Sequence, residues 1–381
     1  MKTMEMKAVI LAAGLGTRLE PLTLTMSKGM IPVANKPLLH WIASRFEEYV
    51  IVARNNQKDI LDYFKNSEII IQKEPKGTAN ALLQCKDIIQ GDFIVTNTDD
   101  LFSKDDIDRV SRHNGFAVAV SRHDKPENFG TITMDGGRIS SIEEKQSGSS
   151  GHVNCGLYKM GKEFFKYLEK TTLSNRNEYE ITESINLAIA GGMNFDAVEV
   201  NGWQTVSHPW DILEANKKIL DETKSVISSS AEIRPGSYIE EPVAIGDGAV
   251  IGPNCYIRKY SSIGAGCKIG NAVEIKNSII MENSFVSHLS YVGDSVIGRD
   301  CNIGAGTIFA NLRLDDNEIN MNVKGEKISS GKRKLGGIVA DGAKFGVNVT
   351  VMPGKKIWPG MLVPPCITIK DDMKEQPSLR S

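Results

Sequence analysis

Residues that could bind phosphate groups stand near the start of the chain, directly after a short apolar run. The run Lys7–Ala12 has the composition of a buried strand, and Gly14, Gly16 and Arg18 follow it. Glycines allow the backbone to turn tightly, so that successive N–H groups can point toward an anion. The guanidinium of Arg18 adds a fixed positive charge with a planar set of donors. A glycine pair after a strand is a weak signal by itself, but it predicts a loop that can hold the phosphates of a nucleotide.

More polar motifs continue this pattern and strengthen it. Lys28 precedes the proline-containing segment 32–37, and Asp99 stands in the polar run 97–100 at the end of an apolar strand. Gln72, Gly77 and Thr78 lie between them in the chain. Ligands of open α/β sheets bind beyond the carboxyl ends of the strands, so a nucleotide would be held near such positions.

The elements that must position these residues alternate along residues 1–222, the predicted first domain. The predicted strands are Lys7–Ala12, Tyr49–Ala53, Glu68–Gln72, Asp92–Asn97, Phe116–Ser121 and Asn154–Met160. The predicted helices are Leu38–Glu47, Lys58–Phe64, Ala79–Ile88, Lys162–Leu168 and Ile181–Ala190. This alternation favours a Rossmann-like α/β fold with an open sheet.

A different period governs residues 223–381, the predicted second domain, where apolar residues recur at every sixth position. The first run is Ile233, Ile239, Ile245, Ile251, Ile257, Ile263, Ile269 and Ile275. After a slip of two residues, the second run is Ile279, Phe285, Tyr291, Ile297, Ile303 and Phe309. A polar, basic interruption at 310–337 precedes the third run, which is Val339, Phe345, Val351, Ile357, Val363 and Ile369. Each six-residue repeat predicts one short strand with one inward side chain, and three repeats predict one triangular coil of a parallel β-helix.

The motifs of the first domain, in this order, resemble the sugar-phosphate nucleotidyltransferase family over the whole of residues 1–222. The resemblance implies that the base and nucleoside are held by Leu11, Ala12, Gly14, Gly16, Gln72, Gly77 and Thr78. It implies that Arg18 and Lys28 neutralise phosphates in catalysis, and that Asp99 binds Mg²⁺. Glu144 with Lys145, and Asn154, would hold the sugar. In that reaction a sugar 1-phosphate oxygen attacks the α-phosphate of UTP or dTTP, and cations stabilise the charge as pyrophosphate leaves.

Several positions depart from the family pattern. A proline, a glycine and a second glycine of the family are replaced here by Ser27, Thr98 and Ser207. At the position of the second metal ligand, an Asp or Asn in the family, this chain has Thr205, whose neutral hydroxyl is a poor ligand for Mg²⁺. Weaker metal binding is therefore expected unless another carboxylate, such as Asp100 or Asp211, replaces it.

The repeat domain resembles the acetyltransferase domain of the bifunctional GlmU-type enzymes, and the archaeal version most. The resemblance implies that this domain is a left-handed parallel β-helix. It also implies that the active sites lie between the solenoids of a homotrimer. The resemblance makes His288 the general base that takes a proton from the amine of glucosamine 1-phosphate, a task suited to imidazole. It implies that Arg258 and Lys276 bind the phosphate of the sugar phosphate and that Tyr291, Asn302 and Asn311 orient the sugar. Ala305 would meet acetyl-CoA.

One position of the acetyltransferase pattern also differs. Asn317 stands where the bacterial enzymes have a phosphate-binding lysine, and Asn320 is also uncharged. The basic cluster at 324–334 either substitutes for that lysine or forms the solvated face of an insertion. This difference concerns the choice of amino sugar more than the type of reaction.

Composition limits the remaining classes of function. The formal net charge of −2 provides no basic field for a nucleic acid. No apolar run reaches the ~20 residues that would span a bilayer, and the N-terminus lacks the pattern of a secretory signal, so a cytoplasmic location is expected. The six cysteines form no CxxC pair, and we expect them to be reduced and mostly buried.

The sequence therefore predicts a bifunctional enzyme of UDP-N-acetylglucosamine (UDP-GlcNAc) biosynthesis. It would acetylate an amino-sugar 1-phosphate with acetyl-CoA and transfer a nucleotidyl group from UTP or dTTP to a sugar 1-phosphate. One alternative is a nucleotidyltransferase whose β-helix serves assembly only, which His288 argues against. The other is a nucleotidyltransferase-like binding or regulatory protein without activity, which Thr205 favours.

Overall fold

The structure is a computed structural model that describes residues 6–123, 129–144 and 151–376. By compactness the chain divides into two units. The sheet unit consists of Met1–Leu15, Lys28–Met30 and Leu38–Thr205, and the solenoid unit of Gly16–Ser27, Ile31–Pro37 and Val206–Ser381. The domain boundary between residues 222 and 223 stays a prediction.

The strands up to residue 205 are short and follow one another in chain order. They are β1 (Lys7–Leu11), β2 (Pro32–Val33), β3 (Lys36–Pro37), β4 (Tyr49–Ala53), β5 (Glu68–Ile71), β6 (Phe93–Asn97), β7 (Asp100–Leu101), β8 (Phe116–His123), β9 (Gly130–Asp135), β10 (Arg138–Glu144), β11 (Gly151–Met160), β12 (Phe195–Glu199) and β13 (Gln204–Thr205). The α-helices are α1 (Leu38–Ala43), α2 (Lys58–Tyr63), α3 (Thr78–Leu83), α4 (Lys104–Ser111), α5 (Phe165–Leu168), α6 (Ile181–Ala190) and α7 (Asp211–Thr223). Single 3₁₀ turns are Thr17–Leu19, Leu22–Leu24, Lys28–Met30 and Lys162–Phe164.

The sheet unit is built on one nine-stranded sheet with the order β5-β4-β1-β6-β11-β8-β12-β10-β9. Strand β1 pairs in parallel with β4 and β6, and β11 runs antiparallel to β6 and β8. Central parallel strands are covered on both faces, which is why β1 and β4 are almost continuously apolar. The predicted α/β sheet is confirmed, and each strand and helix predicted for it is present.

Some elements of the sheet unit differ from the prediction. Strands β9, β10 and β12 and helix α4 were missed, because their exposed faces are polar and weaken the apolar pattern. The helix predicted to reach Glu47 ends at Ala43. There the amides of Arg45 and Phe46 donate to the carbonyls of Ile42 and Ala43, three residues back, so the last turn tightens and the helix stops.

The solenoid unit contains three parallel sheets of seven strands each. The first sheet is Val226–Ile227, Ala244–Ile245, Ser262–Ile263, Ile279–Ile280, Val296–Ile297, Ile338–Val339 and Lys356–Ile357. The second is Glu232–Ile233, Val250–Ile251, Lys268–Asn271, Phe285–His288, Asn302–Ile303, Lys344–Phe345 and Leu362–Val363. The third is Tyr238–Ile239, Tyr256–Ile257, Glu274–Lys276, Tyr291–Gly293, Ile308–Phe309, Thr350–Val351 and Thr368–Ile369. Three such sheets around one apolar core are the architecture of the predicted left-handed β-helix.

The register of the predicted repeat was wrong in the middle of the solenoid. Ile251 pairs with Ile269, 18 residues later, but Ile269 pairs with Val286, only 17 residues later. Side chains of a strand alternate between its faces, so this slip of one residue exchanges inward and outward positions. Val286 and Val292 are fully buried in the core, whereas the predicted core residues Phe285 and Tyr291 are partly exposed.

The interruption at 310–337 is an insertion with a structure of its own. Strand Asn320–Val323 pairs antiparallel with Glu326–Ser329. Ile319, Met321 and Val323 are buried. The insertion therefore packs as a hairpin, and the third run of repeats resumes the coil after it.

Helix α7 belongs to the solenoid unit, and a buried asparagine makes three of the hydrogen bonds that hold it there. The Asn216 amide donates to the carbonyl of Tyr260 at 2.8 Å. Its side-chain oxygen accepts from the Ser262 hydroxyl and from the Ala34 N–H, both at 2.7 Å. Because Asn216 has no solvent exposure, these bonds replace water completely and fix the helix against the first coils.

Five of the six cysteines are buried and all six are free thiols, as the sequence predicted. Burial raises the pKa of Cys267 and Cys301 to about 12, so these thiols stay protonated within the core. Among the described residues, the structure contains no helix long and apolar enough to cross a membrane.

Candidate active sites

The end of strand β1 leads into the glycine-rich segment. Leu11 and Ala12 are buried, and the Ala12 N–H donates to the Val52 carbonyl at 2.8 Å. Gly14 is exposed, and a Cβ added to it would meet no atom within 4 Å. The space beside Gly14 is therefore open to a ligand, which agrees with the role expected for this backbone.

The following glycine and arginine lie in the solenoid unit. Gly16 has a φ of 68°, a left-handed conformation that favours glycine, and it precedes the 3₁₀ turn Thr17–Leu19. Arg18 is exposed within that turn. The Thr23 hydroxyl donates to the Gly16 carbonyl at 2.9 Å and closes the segment into a compact loop.

Three of the predicted nucleotide-binding residues, Gln72, Gly77 and Thr78, lie close together in the sheet unit. The buried Gln72 amide donates to Asn80 Oδ1 at 2.9 Å and to the Gly77 carbonyl at 3.3 Å. Gly77 has a φ of 103°, and a Cβ there would lie 2.5 Å from the Tyr179 carbonyl oxygen, so only glycine fits. The Thr78 hydroxyl accepts a hydrogen bond from the N–H of Ile181, the first residue of α6.

A second cluster of the sheet unit contains the predicted catalytic lysine and metal ligand. Lys28 Nζ forms an ion pair with Asp99. Their side chains are 12% and 22% exposed, so the pair is accessible only from one side. Asp99 orients the ammonium group of Lys28, and Lys28 orients the carboxylate of Asp99. Each charge is therefore already in place for a ligand of opposite sign.

The neighbouring carboxylate, Asp100, is buried rather than open to a ligand. It accepts hydrogen bonds from Trp203 Nε1 at 2.8 Å and from Asn97 Nδ2 at 3.1 Å. Burial, and then the negative charge of Asp99, raise the pKa of Asp100 to about 7. Both carboxylate oxygens are thus occupied by protein donors.

Thr205 lies where the family motif places its second metal ligand. Strand β13 pairs with β7, which sets Thr205 opposite Asp100, the residue that follows Asp99 in the sequence. Asp211 is already used, because it accepts from the N–H groups of Ser207 at 2.9 Å and His208 at 2.7 Å. Within the described parts of the chain, no group of three His, Cys, Asp or Glu side chains could hold a metal ion.

The residues predicted to hold the sugar lie on the antiparallel part of the sheet. Asn154 Nδ2 donates to the Tyr158 hydroxyl at 2.7 Å, and its oxygen accepts from the Gly156 N–H at 3.1 Å. Glu144 ends strand β10 opposite Gly130. Lys145 lies outside the described residues.

In the solenoid, the predicted phosphate-binding cations follow each other on the third sheet. Arg258 comes directly after strand Tyr256–Ile257, and the next strand of that sheet, Glu274–Lys276, ends in Lys276. Arg258 Nη1 donates to Glu274 at 3.1 Å. Glu274 in turn lies opposite Tyr291 on the following strand. The ladder therefore brings the predicted residues Arg258, Lys276 and Tyr291 onto one face.

A buried carboxylate that sequence reasoning missed connects this face. Asp294, 5% exposed, accepts from Lys276 Nζ at 2.6 Å, from Asn277 Nδ2 at 2.8 Å and from Asn311 Nδ2. Asn311 also donates to the Tyr291 hydroxyl at 3.2 Å. The signal was an acidic residue directly after a buried strand, but only the coil-to-coil register shows which residues it meets.

The Tyr291 hydroxyl, which accepts from Asn311, is kept in its neutral form. Partial burial, together with the nearby charges of Asp294 and Glu274, raises its pKa. A Cβ on Gly293 would lie 2.5 Å from the hydroxyl and 2.7 Å from Asn311 Nδ2, so a larger residue at this position would displace the pair.

The predicted general base lies at the corner between the second and third sheets. His288 ends strand Phe285–His288 and its side chain is exposed. Its carbonyl accepts from the Gly306 N–H, at 3.2 Å, on the next coil. Ala305 thus lies one coil beyond His288 at the same corner, and Asn302 begins the strand that leads into that corner. The roles of His288 as a base and of Ala305 as an acetyl-CoA contact stay predictions.

Two of the five basic residues in the cluster at 324–334 form ion pairs. Lys332 Nζ pairs with Glu214 of α7 at 2.5 Å, and Arg333 pairs with Asp316 at 2.8 Å. Asn317 is exposed, and its N–H donates to Asp315 at 3.3 Å. These pairs favour a structural role for Lys332 and Arg333 over a substitute for the missing lysine.

Comparison with known proteins assigns the first and second parts of the chain to different families. The profile of the nucleotidyl transferase family matches residues 7–222, and that of the GMPPB C-terminal domain matches residues 239–332. The fold and these matches define a nucleotidyltransferase-type domain followed by a parallel β-helix.

Relatives of similar length resemble the whole chain. The bifunctional protein GlmU of Methanocaldococcus jannaschii is 40% identical over 380 residues, 92% of each chain. The bifunctional protein GlmU of Methanococcus vannielii is 39% identical over 403 aligned positions, which cover 97% of this chain and 96% of that one. A bifunctional sugar-1-phosphate nucleotidylyltransferase/acetyltransferase of Sulfurisphaera tokodaii is 39% identical over 396 residues, 94% of this chain and 97% of that one. The chain belongs to this family of bifunctional nucleotidyltransferase/acetyltransferase enzymes.

Proposed function

We propose that this chain acetylates an amino-sugar 1-phosphate, most simply glucosamine 1-phosphate, and transfers a nucleotidyl group from UTP or dTTP to a sugar 1-phosphate. The observation that carries the proposal is that two clusters of charged and polar candidate residues are formed, one around the Lys28–Asp99 ion pair and one around Asp294. Lys28 and Asp99 belong to the sheet unit, whereas Lys276, Tyr291 and Asn311 surround Asp294 in the solenoid unit.

In acetyl transfer, the sugar amine attacks the thioester carbonyl of acetyl-CoA. The new bond is N–C, the C–S bond breaks and the CoA thiolate leaves. His288 would remove the proton of the amine, and its exposure leaves the imidazole accessible to a substrate. Arg258 and Lys276 would bind the sugar phosphate in place of, or beside, their present carboxylate partners.

In nucleotidyl transfer, a phosphate oxygen of the sugar 1-phosphate attacks the α-phosphorus of the nucleotide. A new P–O bond forms, the bond between the α- and β-phosphates breaks, and pyrophosphate leaves. Lys28 and Arg18 would neutralise the anions that must approach each other. Gln72, with Asn80 beside it, would offer amide groups to the base.

Asp99 is the side chain that fits a divalent cation here. It is partly exposed and keeps carboxylate oxygens that Mg²⁺ prefers, and Mg²⁺ is often held by one carboxylate together with substrate phosphates and water. Bound in this way, Mg²⁺ would neutralise charge on the triphosphate. Thr205 makes this a poorer carboxylate set than the family pattern, so metal-dependent transfer should be slow.

Two assays on the purified protein test the proposal. Thiol release is followed with acetyl-CoA and glucosamine 1-phosphate, and pyrophosphate release with UTP or dTTP, glucose 1-phosphate or N-acetylglucosamine 1-phosphate, and Mg²⁺. Release above background in both assays is expected. Thiol release alone would favour the second candidate for the sheet unit, a binding domain without transfer, which Thr205 specifically supports.

A homotrimer is part of the same proposal, because GlmU-type acyl sites lie between solenoids. Multi-angle light scattering should give a mass three times that of the 41.7 kDa chain, or a multiple of it. A stable monomer at micromolar concentration would contradict shared acyl sites.

A further inference from the structure

Two cations of the solenoid contact the loop that carries Arg18. The loop is residues 16–27, and it belongs to the solenoid unit although it comes from the nucleotide-binding part of the sequence. Its main chain, rather than its side chains, receives both contacts. These contacts join the proposed phosphate-binding segment directly to the last coils of the β-helix.

The first cation is Lys356, which begins the last strand of the first sheet and is only 3% exposed. Its Nζ donates to the Glu20 carbonyl at 3.0 Å and lies 5.2 Å from the centre of the Trp358 ring. Burial lowers the pKa of Lys356, which reflects the cost of keeping an ammonium group away from water. A lysine kept at such a position needs a specific contact, and the Glu20 carbonyl provides it.

The second cation is Arg299, at a corner of the coil before the insertion. Two of its nitrogens, Nε and Nη2, donate to Asp341 at 2.8 and 2.6 Å, which fixes the plane of the guanidinium. Nη2 also donates to the Thr25 carbonyl at 3.1 Å. Asp341 therefore aims Arg299 at the far end of the same loop.

The two contacts act at the ends of short turns inside the loop. Glu20 caps the 3₁₀ turn Thr17–Leu19 that contains Arg18, and Thr25 caps the next turn, Leu22–Leu24. The carbonyls of 3₁₀ ends lack partners within the turn, so an external donor stabilises them. Fixing Glu20 and Thr25 restricts the backbone on which Arg18 stands.

We propose that Lys356 and Arg299 are positioning residues for nucleotidyl transfer, which hold the Arg18 loop through the Glu20 and Thr25 carbonyls. The solenoid then has a second task besides its acyl chemistry, namely to shape the phosphate-binding loop. This inference rests on the proposed nucleotidyl transfer only for its kinetic consequence. The restraint on the loop can be measured without any activity.

The test compares Lys356→Met and Arg299→Met with the wild-type protein, each as the full chain. Methionine keeps the length and apolar packing of lysine but removes the donor. The matched control is Lys370→Met, an exposed lysine at the end of the last solenoid strand. The conservative variant Arg299→Lys keeps a cationic donor and should restore part of the wild-type behaviour.

The first readout is hydrogen exchange of peptides covering residues 16–27. The amides of Leu19, Glu20, Leu24 and Thr25 are hydrogen-bonded within the loop. Both methionine variants should exchange there at least ~10-fold faster, while Lys370→Met stays at the wild-type rate. Exchange that is unchanged in both variants would overturn the proposal whatever the activities are.

The second readout separates positioning from a general loss of structure. We expect kcat/KM for UTP or dTTP to fall by about 10- to 100-fold, mostly through KM, because a small displacement of a phosphate-binding group is costly. Acetyl transfer by the same preparations should stay within about twofold. Equal loss of both activities would show a structural role and overturn the proposal. A wild-type protein without pyrophosphate release would refute the proposed transfer, and the exchange readout would still decide the inference.

Discussion

The two units hold their candidate residues in different ways. In the sheet unit, Lys28, Gln72 and Asp99 come from separate segments of the chain. Lys28 and Asp99 hold each other in an ion pair, and Gln72 is held by Asn80. In the solenoid unit, Arg258 and Lys276 are 18 residues apart and occupy equivalent places on neighbouring coils. In a repeat, the pairing of strands places equivalent side chains of neighbouring coils side by side. In an open sheet, the order of the strands decides which loop residues lie close together.

This difference changes how each site responds to small changes of sequence. A loop of the sheet unit can vary without moving the other clusters of that unit. In the solenoid, the 17-residue spacing around Ile269 and Val286 turns a whole set of side chains to the other face. Tyr291 is available to Asn311 for this reason.

The largest expected effect tests whether the acyl site is independent of the sheet unit. Replacing His288 by alanine removes the proposed base, and acetyl transfer should fall by about 10²- to 10⁴-fold. Pyrophosphate release should stay within about twofold, because sites that share no residues and no partners contribute independently. Thiol and pyrophosphate assays on one preparation measure both. Loss of both activities in a well-folded protein would show that the two sites are not independent.

The reciprocal change is Lys28→Ala. It removes a cation that would neutralise phosphate and leaves Asp99 without its ion-pair partner. Nucleotidyl transfer should fall by about 10²- to 10³-fold, the range typical for one preorganised electrostatic group. Acetyl transfer serves as the internal control and should be unchanged. A similar fall in the Lys36→Ala control, an exposed lysine nearby in sequence, would argue against a specific role for Lys28.

A smaller effect concerns the stability of the solenoid unit. Asn216→Ala leaves the Ala34 N–H, the Tyr260 carbonyl and the Ser262 hydroxyl without their partner. We expect the free energy of unfolding to fall by about 3 kcal/mol, since each buried polar group left unpaired is costly. Urea titration measures it, with Lys217→Ala on the exposed side of α7 as the control, expected within about 1 kcal/mol. A negligible change would mean that α7 is not fixed by this residue.

The smallest expected effect concerns the binding of Mg²⁺ near Thr205. Thr205→Asp adds a carboxylate opposite Asp100, and Mg²⁺-dependent pyrophosphate release should rise roughly tenfold. Without metal, the added charge should lower the melting temperature, because it lies near Asp99 and Asp100. Mg²⁺ should restore the melting temperature, and Thr205→Val should show neither effect. A fast wild-type rate that Thr205→Asp leaves unchanged would show that another ligand suffices.

The repeats and much of the nine-stranded sheet could be predicted from the sequence alone. A period of six is incompatible with a helix or an ordinary strand, so the β-helix could be predicted from the isoleucines of its first run. Strands β1, β4 and β6 could be predicted because strands buried on both faces are continuously apolar. Elements with one polar face, such as β12, gave no such pattern and were missed.

The candidate site was predicted only as a set of residue types. The role of Asp294 depends on which residues the next coils place beside it, and the positions of Phe285 and Tyr291 depend on the length of one corner. The contacts of Lys356 and Arg299 end on backbone carbonyls, which every residue possesses, so no sequence pattern marks them. Periodicity and apolar runs are local properties that the sequence by itself determined. Register, and hydrogen bonds between distant segments, were decided only by the tertiary structure, because they depend on where the whole chain packs.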